Sequence, residues 1–397
     1  MSRLNDLINK LCPNGVKFKS LDKISSITTG KLNANAMVED GEYAFFTCDA
    51  KPFRIDKYAF DGEAILISGN GSQVGHLNYY IGKFNAYQRT YVLMSFIDSI
   101  IPKYLYHYLN TYLKGHIDEN SKKGSIPYIT LPMLQGFNVP IPPLEVQEEI
   151  VRILDKFGEL EAELEAELEA RKSQYEFWRG KLFQLKDVKE YKFSDLAKLI
   201  TKQTGFDYTN HIKKSLINEK NDNTLPYIQT KFFAGKRFDY DTDYYIPKEV
   251  ANRFNKILLN DRCILLSIVG ASIGNVGLFD GTVESFLGGA IGLVKLNDDV
   301  NIDYIYHYLQ SPYGQNQIRN NIKGSGQASL TIESIREFTI PVPSLEEQSK
   351  IVKILDRFDM LVNDITVGLP AEIELRKKQY EYYRNRLLSF EELKVNE

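Results

Sequence analysis

The chain has 397 residues, and 43% of them are hydrophobic, which is sufficient for two to four domains with their own cores. No apolar run approaches the roughly 18 residues of a membrane span, no basic apolar leader opens the chain, and the three cysteines lack the paired spacing of zinc or disulfide sites. We therefore expect a cytoplasmic globular protein with no membrane contact and no bound metal. The net charge of −3 does not by itself indicate a nucleic-acid partner, but acidic residues concentrate in two helical blocks and leave the rest neutral to mildly basic.

Four segments follow one another along the chain. Residues 1–142 alternate short β-rich runs such as EAILIS and TYVLMSF with glycine turns and the helical segment IPKYLYHYLNTYL. Residues 143–187 follow a proline-rich stretch and keep an uninterrupted amphipathic pattern, which predicts one long helix. Residues 188–343 return to the mixed pattern, with CILLSIV and AIGLVKL as strands, and residues 344–397 predict a second long helix. The predicted fold class is α/β (mixed α+β), with two globular domains separated by two long helices.

The chain contains an internal repeat. VPIPPLEVQEEIVRILDKF at 139–157 returns as IPVPSLEEQSKIVKILDRF at 340–358, and ARKSQYEFWRGKL at 170–182 returns as LRKKQYEYYRNRL at 375–387. YLYHYL at 104–109 likewise returns as YIYHYL at 304–309. These matches indicate a tandem duplication of a unit of about 200 residues, and hence pseudo-two-fold symmetry.

The two helical segments share an apolar seam. Apolar residues recur mostly seven apart with four-residue stutters, which predicts an antiparallel coiled-coil pair. Gly368 and Pro370 interrupt the second seam, so we expect a kink or a break there. The residues predicted to pack and space the helices are Ile150, Phe157, Leu164, Leu168, Tyr175, Leu182, Ile351, Phe358, Ile365, Tyr380 and Leu387.

The duplicated motifs LEVQEEIVRILDKF and LEEQSKIVKILDRF, each leading to RKSQYEFWRGKL or RKKQYEYYRNRL, resemble the specificity subunit of type I restriction-modification enzymes. The resemblance implies target recognition domains at 1–142 and 188–343, a central helical spacer at 143–187 and a C-terminal helical spacer at 344–397. Each domain is then expected to read one half of an asymmetric bipartite site in double-stranded DNA. The spacers are expected to set the half-site separation and to dock two methyltransferase subunits.

The resemblance also implies that this chain is not catalytic and binds no cofactor. S-adenosylmethionine is expected on the methyltransferase partner, and ATP and Mg on a restriction and translocase subunit. The sequence lacks the Asn/Asp-Pro-Pro-Tyr motif of amino methylation, a Walker motif and a HExxH motif. Two alternatives stay open at this point, which are a self-contained divergent DNA-modifying enzyme and a coiled-coil scaffold without DNA specificity.

Candidate DNA contacts lie in turns and in one insertion. The turn GNGSQVG at 69–75, matched by IVGASIG at 268–274, carries polar side chains that suit base edges. In NAYQRTYVL at 85–93, Gln88 and Arg89 are replaced in the second copy by Gly289 and Ala290, which suits divergent specificity. The KGS turns and the insertion TKFFAGKRFDY at 230–240 add cations suited to phosphate. The candidate DNA-binding residues, each of which is alternatively an ordinary surface residue, are Asn70, Ser72, Gln73, Gln88, Arg89, Lys123, Lys231, Lys236, Arg237, Ser272 and Lys323.

The central helix repeats a tetrapeptide in GELEAELEAELEARK at 158–172. Glu159, Glu163 and Glu167 stack at four-residue intervals, and we expect packing or a partner surface to stabilise them. One added ELEA unit rotates the rest of the helix by about 40°, and one base pair turns DNA by roughly 35°, so by rotation one unit corresponds to about one base pair. By rise, one unit adds about 6 Å and corresponds more nearly to two base pairs. Because related specificity subunits use repeat number to set the gap, the resemblance implies that one unit corresponds to one base pair.

Overall fold

The computed structural model describes residues 2–120, 128–324 and 328–393. The chain divides into two compact units, Met1–Glu165 with Glu372–Glu397, and Ala166–Ala371. Each unit contains one mixed domain together with parts of both helical spacers, and the mixed fold class is confirmed. The boundaries at residues 142, 187 and 343 follow sequence motifs and stay predictions. Within the described ranges, no helix has both the length and the apolar character that crossing a bilayer requires.

The domain of the first unit is built on a six-stranded sheet. Its strand order is β2-β7-β5-β6-β3-β4, with β3 and β6 paired in parallel, while β1 and β8 form a separate antiparallel pair. The elements are α1 (Ser2–Leu11), β1 (Lys17–Ser20), α2 (Leu21–Ile24), β2 (Ser26–Thr29), β3 (Tyr43–Phe46), β4 (Phe53–Ile55), β5 (Phe60–Ser68), β6 (Leu77–Ala86), β7 (Thr90–Met94), α3 (Pro102–Asn120), α4 (Leu131–Gln135), β8 (Asn138–Ile141) and α5 (Leu144–Lys181).

The domain of the second unit has two four-stranded sheets. Their orders are β10-β19-β16-β17 and β14-β11-β18-β15, and two further pairs join β12 to β13 and β9 to β20. The elements are β9 (Glu190–Lys192), α6 (Phe193–Leu196), β10 (Ala197–Lys202), α7 (Gly205–Asp207), α8 (Lys213–Ser215), β11 (Thr224–Ile228), β12 (Phe233–Ala234), β13 (Arg237–Phe238), β14 (Tyr245–Pro247), α9 (Lys248–Ala251), β15 (Leu258–Leu259), β16 (Cys263–Ser267), β17 (Val276–Phe279), β18 (Ser285–Leu287), β19 (Ile291–Leu296), α10 (Ile302–Gln310), α11 (Pro312–Asn321), α12 (Ile332–Arg336), β20 (Thr339–Pro341), α13 (Leu345–Asn363) and α14 (Leu369–Leu387).

The central strands β5 and β16 are apolar on both faces because both faces are covered. In β5, Ile65 and Ile67 pack in the core that contains α3, whereas Ala64 and Leu66 pack in a smaller cluster on the opposite face. In β16, alternate residues likewise divide between two cores of the second unit. Successive side chains of a strand point to opposite faces, so a continuous apolar run is what a doubly covered strand requires.

The two spacers differ in continuity. Helix α5 runs without interruption over 38 residues, whereas the C-terminal spacer breaks between Asn363 and Leu369. The Asp364 carboxylate accepts hydrogen bonds from the Thr366 backbone and hydroxyl, and a Cβ at Gly368 would lie 2.5 Å from the Met360 carbonyl oxygen. The break therefore needs glycine at 368, in agreement with the predicted interruption.

The break also places one predicted seam residue in solvent. Ile365 lies between α13 and α14 and is 54% exposed, because the chain leaves helical geometry at Asp364. The predicted seam residues Leu164 and Leu168 are half-buried on α5. The heptad pattern therefore extends further along the sequence than the helical packing does in the structure.

Helix contacts within each unit involve aromatic residues of the predicted seam. In the first unit, the centre of the Phe157 ring lies 6.1 Å from that of Tyr380 and 5.6 Å from that of Tyr383. Lys377, which precedes these tyrosines on α14, pairs with Glu161 and Glu165, which follow Phe157 on α5, so the two helices run antiparallel. In the second unit, Tyr175 of α5 stacks on Phe358 of α13 at 6.0 Å. Burial, reinforced by the nearby Asp359 carboxylate, raises the pKa of Tyr175 and keeps its hydroxyl protonated.

Candidate nucleic-acid interface

Two turns of the first domain meet at the ends of its central strands. Residues 69–76 connect β5 to β6, and residues 87–89 connect β6 to β7. The Gly69 amide donates to the Arg89 carbonyl at 2.9 Å, and the Ile129 amide donates to the Gly69 carbonyl at 2.9 Å. These backbone bonds hold the two turns and the segment that leads into α4 in one fixed arrangement.

A shallow pocket of about 230 Å³ lies between these turns. Predicted DNA-binding residues Asn70, Gln88 and Arg89 line it, so positions 18 or 19 residues apart in sequence are brought together. Ser72 and Gln73 are exposed on the adjoining 69–76 turn. The full lining consists of Thr29, Gly69, Asn70, Gln88, Arg89, Tyr91, Tyr128 and Ile129.

The thiol of Cys48 orients Asn70 at this pocket. The Cys48 Sγ lies 3.1 Å from the Asn70 Oδ1, and as donor it occupies an acceptor site of that oxygen. The Asn70 amide nitrogen is then the group suited to donate to a base acceptor. Cys48 was not among the sequence candidates, because no periodicity connects two residues 22 positions apart in different loops.

The second domain repeats this backbone arrangement with different side chains. The Ile268 amide donates to the Ala290 carbonyl at 2.9 Å, and the Leu330 amide donates to the Ile268 carbonyl at 2.9 Å. These bonds match those of Gly69, Arg89 and Ile129 in the first domain. We call the segments joined by these bonds in each domain its backbone frame. The same frame therefore presents Arg89 in one domain and Ala290 in the other.

The small residues in the second frame make room for a buried glutamine. Gln203 accepts a hydrogen bond from the Tyr227 hydroxyl at 3.2 Å and donates to the Leu287 carbonyl at 3.2 Å. A Cβ at Gly289 would lie 3.0 Å from the Gln203 Oε1, so glycine at 289 allows this close approach. Gln203 was missed by sequence reasoning because its counterpart in the first copy cannot be aligned by motif.

Two further candidates flank the second frame. The Ser272 hydroxyl lies 2.9 Å from the Ser267 hydroxyl, which stabilises the 268–275 turn from within. Lys323 is exposed, and its backbone pairs with Ser329, whose neighbour Leu330 contacts the frame. Lys123, the candidate at the corresponding turn of the first domain, lies outside the described residues.

The cations of the 230–240 insertion have different surroundings. Lys231 forms an ion pair with Asp243, and the Lys236 ammonium lies 2.6 Å from the Asp356 Oδ1 on α13. Arg237 is exposed on β13. Contact between these three residues and DNA stays a prediction. Over residues 2–120, 128–324 and 328–393, no cluster of three His, Cys, Asp or Glu side chains is arranged to hold a metal ion.

Two mixed domains with one backbone frame, different turn side chains and long helical spacers define a two-module recognition protein. The family described as type I restriction modification DNA specificity domain matches residues 2–170 and 185–375, and this chain belongs to it. The comparisons identify the chain as a type I DNA specificity subunit and support neither the self-contained enzyme nor the scaffold without DNA specificity.

Individual relatives agree with this assignment. The chain is 35% identical over 296 residues to the EcoR124I/EcoR124II specificity subunit of Escherichia coli, covering 72% of this chain and 70% of that protein. It is 29% identical over 398 residues to a putative type I specificity subunit of Haemophilus influenzae, S.HindORF215P, covering 94% and 96%. The fold is similar to that of the S subunit from M. genitalium, with a TM-score of 0.59, 17% identity and coverage of 96% and 97%. The HsdS subunit from Thermoanaerobacter tengcongensis has a TM-score of 0.52, 15% identity and coverage of 96% and 97%.

Proposed function

We propose that each domain of this chain reads one half of an asymmetric bipartite DNA site and that the spacers set the gap between the halves. The observation that carries the proposal is the shared backbone frame with different side chains. A common frame supports a common docking geometry on the duplex, whereas replacement of Arg89 by Ala290 changes the base-edge chemistry. Two such readers in one chain favour two different half-sites.

The first domain has the chemistry for direct readout in the major groove. Arginine pairs with the two acceptors of guanine, and an asparagine or glutamine amide pairs with adenine. Arg89, Gln88 and Asn70 supply these groups around one pocket. The second domain, which presents Gly289 and Ala290 there, is expected to take its specificity from other turns, including that of Ser272 and that of Lys323.

The spacers have surfaces suited to protein partners. A groove of about 430 Å³ lies along α13 and is lined by Asn301, Ser349, Val352, Lys353, Asp356, Arg357 and Met360. Apolar side chains are also exposed on the helices, among them Phe177 on α5 and Leu375 and Tyr382 on α14. These surfaces support docking of two methyltransferase subunits, because exposed apolar patches mark interaction sites.

The chemistry of modification is assigned to these partners. Within this proposal, S-adenosylmethionine is bound by the methyltransferase subunits, ATP and Mg by a restriction and translocase subunit, and the chain itself supplies sequence recognition without catalysis. Adenine is the base expected to be methylated.

In vitro selection from random duplexes tests the proposal. The chain is assembled with its methyltransferase partner, and bound duplexes are recovered at two salt concentrations, because phosphate contacts alone give salt-dependent binding without sequence preference. Two short conserved blocks separated by a constant number of unspecified base pairs are expected. Recovery of unenriched sequence at both salt concentrations would contradict sequence recognition by this complex.

A further inference from the structure

Each unit ties its long helix to its domain through the same buried glutamine. In the first unit, Gln147 of α5 is fully buried, donates to the Ser99 carbonyl at 2.9 Å and accepts from the Ile101 amide at 2.8 Å. In the second unit, Gln348 of α13 is 1% exposed and accepts from the Asn301 amide at 3.3 Å. Because both side chains bond the segment that precedes the domain's main helix, each fixes the first turn of a spacer against its domain.

A histidine and an aspartate form a second tie two turns further along each helix. The His107 Nε2 of α3 lies 3.0 Å from the Asp155 Oδ1 of α5, and the His307 Nε2 of α10 lies 2.7 Å from the Asp356 Oδ1 of α13. In both rings the Nδ1 is buried and has no hydrogen-bond partner among the described residues. The Nε2 therefore carries the proton and donates to the carboxylate.

Both aspartates also receive a cation, but from different elements. In the first unit, the Lys103 ammonium of α3 lies 2.9 Å from the Asp155 Oδ2. The corresponding position of α10 is Asp303, which reverses the charge. In the second unit the cation comes from the 230–240 insertion, where Lys236 lies 2.6 Å from Asp356 and 3.7 Å from Asp303.

Lys236 in the second unit occupies the place that Lys103 has in the first unit, which shows that each site requires a cation beside the aspartate. A half-buried carboxylate beside a buried imidazole is stabilised by a nearby positive charge, and the second unit restores that charge from its own insertion. Burial alone would raise the pKa of Asp356, but the His307 ring and the Lys236 ammonium together lower it to about 2. The Asp356 carboxylate is thus fully ionised at neutral pH.

We propose that these two clusters, His107–Asp155–Lys103 and His307–Asp356–Lys236, are positioning anchors that fix the rotation of each recognition domain on its spacer helix. They thereby determine how strictly the complex enforces the gap between half-sites. Gln147 and Gln348 hold the start of the helix, and each cluster holds the same helix about two turns later. In each helix the two ties are eight residues apart, which places them about 12 Å apart along the helix and about 80° apart around it. Together they therefore oppose both tilting of the domain and its rotation about the helix axis.

The rotation that matters is small. A gap that is one base pair too long or too short turns one half-site by roughly 35° relative to the other, with a rise of about 3.4 Å. A domain held rigidly on its spacer helix cannot rotate to match the displaced half-site. A domain that has lost one of its two ties can rotate part of the way. The inference rests on the proposed function, because it requires two half-sites that are read together.

The test measures methylation of duplexes that carry both half-sites with the natural gap or with one base pair more or fewer. The full complex is prepared with Asp155→Ala, with Asp356→Ala and with Lys236→Gln. Lys198→Gln is the matched control, because Lys198 pairs with Asp298 on the surface and lies in neither cluster. Thermal unfolding of each variant reports whether it is folded. Lys236 is about one-third exposed, so Lys236→Gln is expected to leave the hydrophobic core intact.

We expect each anchor variant to raise the methylation rate at the altered gaps, relative to the natural gap, by about ten-fold, the order expected for one charge-assisted hydrogen bond. The half-site sequences are expected to stay unchanged, and Lys198→Gln is expected to keep the wild-type ratio. A folded Lys236→Gln that lowers methylation equally at every gap would overturn the inference, because loss of a phosphate contact acts in this uniform way. A wild-type complex that methylates all gaps equally would overturn the proposed function, and the inference with it.

Discussion

The Lys377 ammonium on α14 lies 3.0 Å from the Glu165 Oε1 and 3.4 Å from the Glu161 Oε1 on α5. One cation thus bridges two successive acidic repeats, and hydrogen bonding to Glu165 raises the pKa of Lys377. Lys156 pairs with Glu159 and Arg171 with Glu167 at the ends of the repeat. Lys377 of α14 thus pairs with the row of Glu161 and Glu165. The stacked row of Glu159, Glu163 and Glu167 instead receives ion pairs at its two ends from Lys156 and Arg171, which lie on α5 itself.

Deletion of residues 163–166 tests whether the repeat sets the gap. After this deletion Glu169 stands four residues beyond Glu161, so Lys377 keeps two carboxylate partners and the helix pair is expected to stay folded. We expect the preferred gap to shorten by about one base pair, since four residues rotate a helix by about 40°, with both half-sites unchanged. Sequencing of methylated adenines measures the gap, and an altered half-site with the original gap would be the contrary result.

Glycine has opposite roles in the two spacers. A Cβ at Gly158 of α5 would meet no atom within 4 Å, so Gly158→Ala is expected to raise the free energy of unfolding by about 0.5–1 kcal/mol through helix propensity. At Gly368 a Cβ would approach three carbonyl oxygens to between 2.5 and 2.9 Å. We expect Gly368→Ala to lower the free energy of unfolding by about 1–3 kcal/mol. Thermal or urea unfolding of both variants checks the signs, and stabilisation by Gly368→Ala would show that the break is not sterically required.

Arg89 is expected to contribute to specificity at the first half-site only. Arg89→Ala removes a bidentate donor, and discrimination at one base pair should fall by about ten- to hundred-fold. Methylation kinetics on duplexes with single substitutions in each half-site measure this effect. Lys114→Ala, at an exposed position of α3, is the control and should leave both halves unchanged. Relaxed specificity in the second half-site after Arg89→Ala would contradict the assignment of one domain to each half.

His107 makes stability depend on pH. Burial lowers the pKa of His107, and the Lys103 and Arg384 charges lower it further, while the Asp155 carboxylate opposes this shift. The pKa of His107 is lower in the folded chain than the unfolded value of about 6.5. At pH values between these two pKa values the unfolded chain binds more protons than the folded chain, so the free energy of unfolding decreases as the pH falls below about 6.5. We expect the melting temperature to decrease as the pH is lowered from about 7.5 to about 5.5, a range of roughly one unit on either side of the unfolded pKa. His107→Gln should flatten this dependence, and an unchanged pH profile in the variant would exclude His107 as its source.

The repeat made much of the fold accessible from sequence. VPIPPLEVQEEIVRILDKF and its second copy align without gaps, and the strands at their starts, β8 and β20, lie at equivalent places and pair with β1 and β9 respectively. The apolar runs EAILIS and CILLSIV correspond to β5 and β16, since doubly covered strands need no polar alternation. The local sequence pattern was sufficient to predict these elements wherever the two copies had retained similar residues.

Contacts between distant turns were not accessible in this way. The bond from Cys48 to Asn70, the burial of Gln203 below Gly289 and the ion pair of Lys236 with Asp356 each join segments that no periodicity relates. Ile365 shows the opposite difficulty, because a heptad pattern continues through a segment where Asp364 accepts the hydrogen bonds that end the helix. Side-chain geometry, rather than hydrophobic spacing, decides these positions.

The central claim is that two different half-sites are read by two domains of one chain. The most direct measurement is genome-wide sequencing of methylated adenines in cells that carry this chain with its methyltransferase partner. We expect a single asymmetric motif of two unlike blocks separated by a constant gap. A continuous motif, or a palindrome with two identical halves, would contradict it.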